Sequence, residues 1–502
     1  MKNSNKRDQS PMFWIGIAAV FLISIYLRFW GLGRFNTLVF DEEYYAKFAN
    51  NYLTHTQFFN AHPPLSQYVI AIAIWIGSHI PIGQDTVNSL TGSLRSTWSY
   101  RWLNALTGSF IPLVVAGIAY QLSHRRSYAL LAALFAAADG LFLVESRYAL
   151  NNVYLVILGL LGQWFFLLAL ERVGRQQRFW LTLAGISFGA CAAIKWNGLW
   201  FLLGAYLIWI AAWVLRLLRG LGDRGTRETW GILRITNLNF LSVVFYLGIV
   251  PVLVYSISWI PHLLLNPTPG FWEMQREILV YHQRIGDGPN VHPYCSRWYT
   301  WPLMLRPVAY FYKTAQNFTD PVPIFGPSLP TASVRVIYDV HAMANPILWW
   351  FSTAAIVFCF WILAKSAVSK LSTGVLENTK ADENYELQIT AWIAFYCAIN
   401  WLANLLPWVK VTRCTFIYHY MGASVFAGLA LAWLVDRWLC SYRKNLRVLG
   451  ITAIFLILLA FVFWMPVYLG LPIPVDDYKL RIFNIGTKYL PSWINQWLPR
   501  WI

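Results

Sequence analysis

Ser66-Gln67-Tyr68-Val69-Ile70-Ala71-Ile72-Ala73-Ile74-Trp75-Ile76-Gly77-Ser78-His79-Ile80-Pro81-Ile82 is apolar, but short beside the roughly 20 residues that a membrane-crossing helix takes. Whether it crosses decides on which side every later loop lies. It starts just after Pro63-Pro64, a pair that limits a helix, and it contains Gly77 and His79. Charge arbitrates, because short cytoplasmic links carry an excess of Lys and Arg. If residues 66–82 do not cross, the cytoplasmic side receives Lys2, Lys6 and Arg7, then Arg125 and Arg126, then Arg172, Arg175 and Arg178. It also receives Arg216, Arg219, Arg224, Arg227 and Arg234, and finally Arg437, Arg443, Lys444 and Arg447. If they do cross, only the N-terminus stays as a basic cytoplasmic segment. The stretch therefore reads as an interfacial or re-entrant helix.

Around it, apolar runs of spanning length lie near 12–30, 101–122, 128–145, 149–170, 179–195, 197–217, 239–260, 346–365, 387–406, 414–435 and 447–469, about eleven spans in all. A chain of 502 residues with 58% hydrophobic content, 12% charged residues and 28 Trp has more apolar surface than a soluble fold can bury. The expected class is an all-α integral membrane protein. Its net charge of +17 is dispersed over short links, which speaks for membrane orientation and against nucleic acid as a partner. The first apolar segment is too long for a signal h-region and lacks a small-residue cleavage site, so it reads as a retained anchor. The expected organisation is a cytoplasmic N-terminus (1–11), an N-terminal transmembrane module (12–260) with an outer loop at 31–100, a second outer loop (261–345), C-terminal transmembrane helices (346–469) and an outer tail (470–502). The Pro-rich stretch 318–331 reads as ordered loop. Six scattered cysteines without a CxxC or ligand spacing predict neither a disulfide framework nor a metal site.

The chemistry concentrates in Phe40-Asp41-Glu42-Glu43-Tyr44-Tyr45-Ala46-Lys47-Phe48-Ala49, followed by His62-Pro63-Pro64-Leu65. Acids beside a spanning helix are costly unless they face a water-filled cavity or bind something. A plainer reading has Asp41 capping a helix with acids in its first turn, and Asp41 can serve both purposes. The outer side also carries cations that the charge rule does not explain: Arg101, Arg147, Lys195, Lys410 and Arg413. Singly each is expected to snorkel to headgroups, whereas the set is expected to converge on an anion such as a lipid phosphate. An alkyl or glycosyl transfer from a lipid phosphate needs cations for the leaving phosphate and one base for the incoming hydroxyl, which one carboxylate beside several cations supplies. Asp139, inside a span, is either functional or structural glue, and Glu145 follows it. His62 is either a site residue or a helix-entry residue stacked on the prolines. Trp298, Trp301, Tyr310, Tyr312, Trp349 and Trp350 read as an interfacial belt or as the floor of a sugar site.

These stretches resemble the protein O-mannosyltransferase family of the GT-C class. Phe40-Asp41-Glu42 with Lys47-Phe48-Ala49 resembles its acidic first-loop motif, and His62-Pro63-Pro64-Leu65 its HPPL. Lys195-Trp196-Asn197-Gly198-Leu199 resembles the KWxGL element, and Arg413 with Phe416-Ile417-Tyr418-His419-Tyr420 the late arginine and YHY stretch. Trp301-Pro302-Leu303 to Arg306-Pro307-Val308 and Asn345-Pro346 with Trp349-Trp350 match less specific patterns. The resemblance runs in order from about residue 40 to about 420. It implies a GT-C fold with about eleven spans, a helical first outer loop and an active site on the outer face of the plasma membrane. It also implies an inverting transfer of mannose or a similar hexose from a polyprenyl-phosphate donor to Ser or Thr hydroxyls of exported proteins, without a cofactor. Carried over by position, Asp41 is the base and Glu42 its catalytic neighbour, with Arg101 close to that acid. The expected substrate-binding set is His62, Arg101, Arg147, Lys195, Arg413, Tyr418 and His419. Two departures stand out. Residues 261–345 are too few for the β-trefoil domain of eukaryotic members, and Asn152 stands where the family often has Asp. A GT-C transferase acting on a lipid or glycan acceptor, like the aminoarabinose transferases, is the alternative. A transporter is disfavoured because its inverted repeats are not evident.

Overall fold

A backbone in hydrocarbon must satisfy its own N–H and C=O groups, so the apolar runs become helices. The computed structural model describes residues 11–83, 87–218, 235–236, 238–315, 335–372 and 381–482. Among them nine helices are long and apolar enough to cross a membrane, or ten if one bent pair is a single span. The protein is thus a multi-span membrane protein. In chain order, α1 is Pro11–Phe29, α2 Glu42–Leu53, α3 Leu65–Gly77, α4 Thr97–Ser123, α5 Arg126–Ala137, α6 Gly140–Arg147, α7 Asn152–Leu170, α8 Gly174–Ala192 and α9 Leu199–Leu218. After these come α10 (Phe240–Leu265), α11 (Phe271–Arg284), α12 (Pro346–Ser372), α13 (Ala381–Leu405), α14 (Met421–Leu439), α15 (Lys444–Leu469) and α16 (Val475–Ile482).

The stretch that decides the topology forms α3, whose 13 residues reach about 20 Å at 1.5 Å per residue, short of a bilayer core of about 30 Å. The expected fifth span is α8, which holds 19 residues but is not among the nine; its first turns carry Arg175 and Arg178. The expected third span is broken. α5 and α6 meet at a 58° bend where Asp139 caps α6 by accepting from Leu141 N at 2.9 Å, and Trp349 Nε1 donates to its other oxygen at 2.8 Å. Asp139 is therefore a structural acid.

The bundle is organised on α4, which packs against α1, α3, α5, α6 and α7, while α14 packs against α5, α12, α13 and α15. At the end of the bundle that carries the first loop lie two small antiparallel sheets, an exception to the all-α expectation. Val87–Leu90 and Ser93–Ser96 form a hairpin, β1 and β2. Val308–Ala315 (β3), Val336–Ala342 (β4) and Pro472–Pro474 (β5) form a sheet in the order β3-β4-β5. The register pairs Val308 with Ala342 and Tyr338 with Pro472, so two strands of the second outer loop and the start of the tail are one layer. The seven residues of β4 are all buried, and a strand buried on both faces shows no alternation to read. A further difference is the disulfide between Cys295 and Cys414, two cysteines 119 positions apart whose pairing their spacing does not disclose. The stretch 318–331, the links with Arg219, Arg224, Arg227 and Arg234, and the tail beyond 482 lie outside the described residues.

Candidate active site

Asp41 and Glu42 are adjacent in sequence and take different surroundings. Asp41 sits at the start of α2 with helical backbone angles, and its side chain makes no capping hydrogen bond. The expected double role is thus reduced to one, since nothing in α2 holds the carboxylate. Before it, Phe40 has φ of 53°, and its ring stacks on Tyr310 at 4.1 Å, with Phe416 and Tyr418 edge-on at 6.3 and 6.2 Å. Burial pushes the Asp41 carboxyl up from 3.8 to about 6, while the Lys195 ammonium draws it back down.

Glu42 is fully buried and fully engaged. Arg101 Nε and Nη2 donate to its two oxygens at 2.8 and 2.7 Å, and the backbone N–H groups of Val39 and Ala149 donate at 2.8 Å each. The remaining donors of Arg101 go to the carbonyls of Leu32, Phe35 and Thr37 at 3.1, 3.0 and 2.8 Å. All five guanidinium N–H groups are used, so Arg101 has none for a phosphate. Arg147 is committed through its two Nη groups, while its buried Nε has no hydrogen-bond partner among the described residues. Its Nη1 donates to the carbonyls of Leu27 (2.7 Å), Arg28 (3.1 Å) and Trp30 (2.8 Å), and its Nη2 to Gly31 at 3.3 Å. A cation on the last carbonyls of α1 suits that helix end. Glu42, expected in catalysis, and Arg101 and Arg147, expected at the substrate, thus hold the first loop and the end of α1 against the bundle.

The other expected residues come together around Asp41. Lys195 lies in an extended break after α8, where a Cβ on Gly198 would come within 2.4 Å of the Cys191 carbonyl, so this tight return needs glycine. The ammonium is buried, donates to Asn152 Oδ1 at 2.9 Å, and lies 5.5 Å from the Tyr418 ring centroid and 6.0 Å from that of Tyr45. Leu65 N donates to the Ala193 carbonyl at 3.1 Å, which fastens His62-Pro63-Pro64-Leu65 to this break. His62 lies over Tyr45, its ring centre 6.3 Å away. Burial, with Lys195, His282 and Arg413 nearby, holds it well below the usual histidine range. Arg413 is half-buried, donates to the Cys414 carbonyl at 2.9 Å and faces Tyr418, Tyr45 and Tyr281. His419 is held by the Phe416 carbonyl at 2.9 Å and stacks on Trp301.

Sequence reasoning missed His282. Its ring centre lies 5.1 Å from that of His62, its Nε2 lies 3.0 Å from the Ala61 carbonyl, and burial brings it down to about 4. For Tyr310, sequence reasoning left two readings open, an interfacial belt or the floor of a sugar site. This ring belongs to the site, and its hydroxyl donates to Glu145. Trp301 and Trp349 are likewise buried in the fold and not at a membrane interface. Burial along β3 does not alternate, so no period in the sequence separates its inward aromatics from its outward ones.

Comparison with known proteins agrees with this geometry. Residues 18–254 match the dolichyl-phosphate-mannose-protein mannosyltransferase family, and residues 267–485 match the C-terminal four TMM region of protein-O-mannosyltransferase. The polyprenol-phosphate-mannose–protein mannosyltransferase of Mycolicibacterium smegmatis is 23% identical over 96% of this chain and 93% of its own. That of Mycobacterium tuberculosis is 22% identical over 96% and 92%. The solved S. cerevisiae protein O-mannosyltransferase Pmt1-Pmt2 complex bound to the sugar donor has a similar fold, with a TM-score of 0.74 at 14% identity over 98% of this chain and 93% of that one. The helical bundle with an acid held at its loop-bearing end defines a membrane glycosyltransferase of the GT-C class. Within that class, the chain belongs to the protein O-mannosyltransferase family.

Proposed function

We propose that this chain transfers mannose from a polyprenyl-phosphate donor to Ser or Thr hydroxyls of exported proteins, with inversion, at the outer face of the plasma membrane. The observation that carries the reading is the Asp41 carboxyl, free of capping bonds and raised to about 6, beside the buried Lys195 ammonium. In the transfer, the acceptor hydroxyl oxygen bonds to the anomeric carbon from the face opposite the phosphate. The carbon–oxygen bond to the phosphate breaks, and the hydroxyl proton passes to Asp41. Lys195 and Arg413 stabilise the polyprenyl phosphate that leaves, in place of the larger set expected from the sequence. His62, neutral, and Tyr418 line the pocket beside them. The Cys295–Cys414 disulfide at the same end supports an oxidising, outer location. The relatives' names and the matched family support the donor and the protein acceptor. The test uses purified full-length protein with polyprenyl-phosphate [14C]mannose and two peptides, one with Ser and Thr and one with both replaced by Ala. Label on the first alone is expected; label on neither, or only on lipid or glycan, sinks the proposal.

A further inference from the structure

Glu145 is an ionisable group to which the transfer scheme above gives no part. It projects from the last turns of α6 and is fully removed from solvent. Tyr310 on β3 donates its hydroxyl to Oε1, and Asn152 at the start of α7 donates Nδ2 to Oε2 at 3.1 Å. An ionised carboxylate only accepts, so Asn152 must turn its NH2 toward Glu145. That leaves the amide oxygen facing the other way, where Lys195 donates to it at 2.9 Å. An ammonium only donates, so the same amide orientation satisfies both neighbours. On the other arm, Tyr310 lies flat on Phe40, 4.1 Å away with planes 9° apart, and Phe40 is the residue before Asp41. One carboxylate therefore reaches the proposed phosphate cation by one path and the backbone of the proposed base by another.

We propose that Glu145 is a positioning residue for the transfer site, fixing Lys195 through Asn152 and Phe40-Asp41 through Tyr310. It touches neither donor nor acceptor. Together with Asp41 it also supplies negative charge that lets Lys195 remain an ammonium when buried, which Asn152 alone cannot do. This inference rests on the transfer reading for what the positioned groups do, but not for the relay itself.

The polarity of the relay gives its test. In Asn152→Asp, two carboxylates abut and repel, and one must take up a proton. In Glu145→Gln, one of the two carboxylates that face Lys195 is gone, and Asp41 is the one left. The double variant E145Q/N152D restores both, since the Gln NH2 donates to the Asp, the Asp accepts from Lys195, and the net charge is unchanged. Mannosyl transfer by the purified full-length protein, normalised to folded enzyme, is measured against donor concentration. Each single variant is expected to lose about ten- to a hundredfold in kcat/KM for the donor, the worth of one hydrogen bond to a charged group. The double variant is expected to return to within about threefold of wild type. A merely structural Glu145 changes the amount of folded protein and leaves kcat and KM per folded molecule alone. That result, or a double variant no better than the worse single one, overturns the proposal. If the wild type moves no mannose at all, the transfer reading fails, and the relay is judged by thermal unfolding of the same four proteins in detergent. A double variant more stable than the worse single supports it, and strictly additive losses overturn it.

Discussion

The Glu42 carboxylate and the Arg101 guanidinium meet in two hydrogen bonds of 2.8 and 2.7 Å, with both side chains fully removed from water. Each spends its remaining hydrogen-bonding capacity on the backbone of the first loop or of the turn before α7. Two neighbouring acids have thereby been given separate work: Glu42 anchors the loop, and Asp41 is left free on it.

Breaking that pair is expected to cost stability more than chemistry. Glu42→Ala leaves a buried guanidinium uncompensated, a loss of about 3–5 kcal/mol in comparable pairs. Glu42→Ala and Arg101→Ala should each lower the thermal unfolding midpoint strongly, and the double variant should lose less than the sum of the two. Full stability in either single variant would show that the clamp is not needed.

Asp41 is expected to behave in the opposite way. Its folded value of about 6 lies above the ordinary 3.8, so the native state binds the proton more tightly than the unfolded chain does. Ionised Asp41 therefore costs stability, increasingly from about pH 4 to 6 and constantly above. Asp41→Asn should be at least as stable as wild type at pH 7, with the advantage shrinking toward pH 4. Transfer should fall by roughly a hundredfold or more, as for loss of a positioned base. In wild type, kcat/KM should rise with pH through about 6 and level off above, since the base works only when ionised. A profile flat from pH 5 to 8 would remove Asp41 from that role.

The four expected phosphate cations should separate into two pairs. Arg101 and Arg147 hold backbone carbonyls, and Lys195 and Arg413 face the pocket. Lys195→Met and Arg413→Met should weaken donor use about ten- to a hundredfold in folded protein, because charge-assisted contacts to a buried phosphate are strong. Arg147→Met should instead lower the unfolding midpoint. Donor titration alongside thermal unfolding decides it, and an Arg147 variant with a shifted donor KM and unchanged stability contradicts the division.

How far these roles could be read from the chain depends on the kind of information each needs. Helices follow from apolar run length, and acids and cations placed where they are costly mark Asp41, Lys195 and Arg413 as candidates. The backbone contacts of Arg101 and Arg147 were not legible, because sequence gives the charge of a side chain and not the carbonyls that take its donors. Tyr310 and His282 lie in a segment that joins the site only when β3 and α11 fold over it, and no local period marks that approach. The disulfide was missed for the same reason, as its cysteines are 119 positions apart.

That disulfide is expected to matter through Arg413. Cys414 is the next residue, its carbonyl accepts from Arg413 at 2.9 Å, and its N–H donates to the Gly286 carbonyl at 2.8 Å. Thr415 Oγ1 donates to the Ser296 carbonyl at 2.6 Å, so the segment carrying Arg413 is stitched to the loop after α11 at several points. Removing the covalent link frees a long loop in the unfolded chain, which in small domains costs about 2–5 kcal/mol, and leaves hydrogen bonds to hold Arg413. Cys295→Ser/Cys414→Ser is therefore expected to unfold at lower temperature and to show a raised donor KM, with a smaller change in kcat because Asp41 is untouched. Treating intact wild type with a membrane-impermeant reductant should reproduce the KM shift, and the double-serine variant should not respond to it. Reductant that changes neither protein, while thiol labelling confirms that Cys295 and Cys414 have been freed, would show that the hydrogen bonds alone place Arg413.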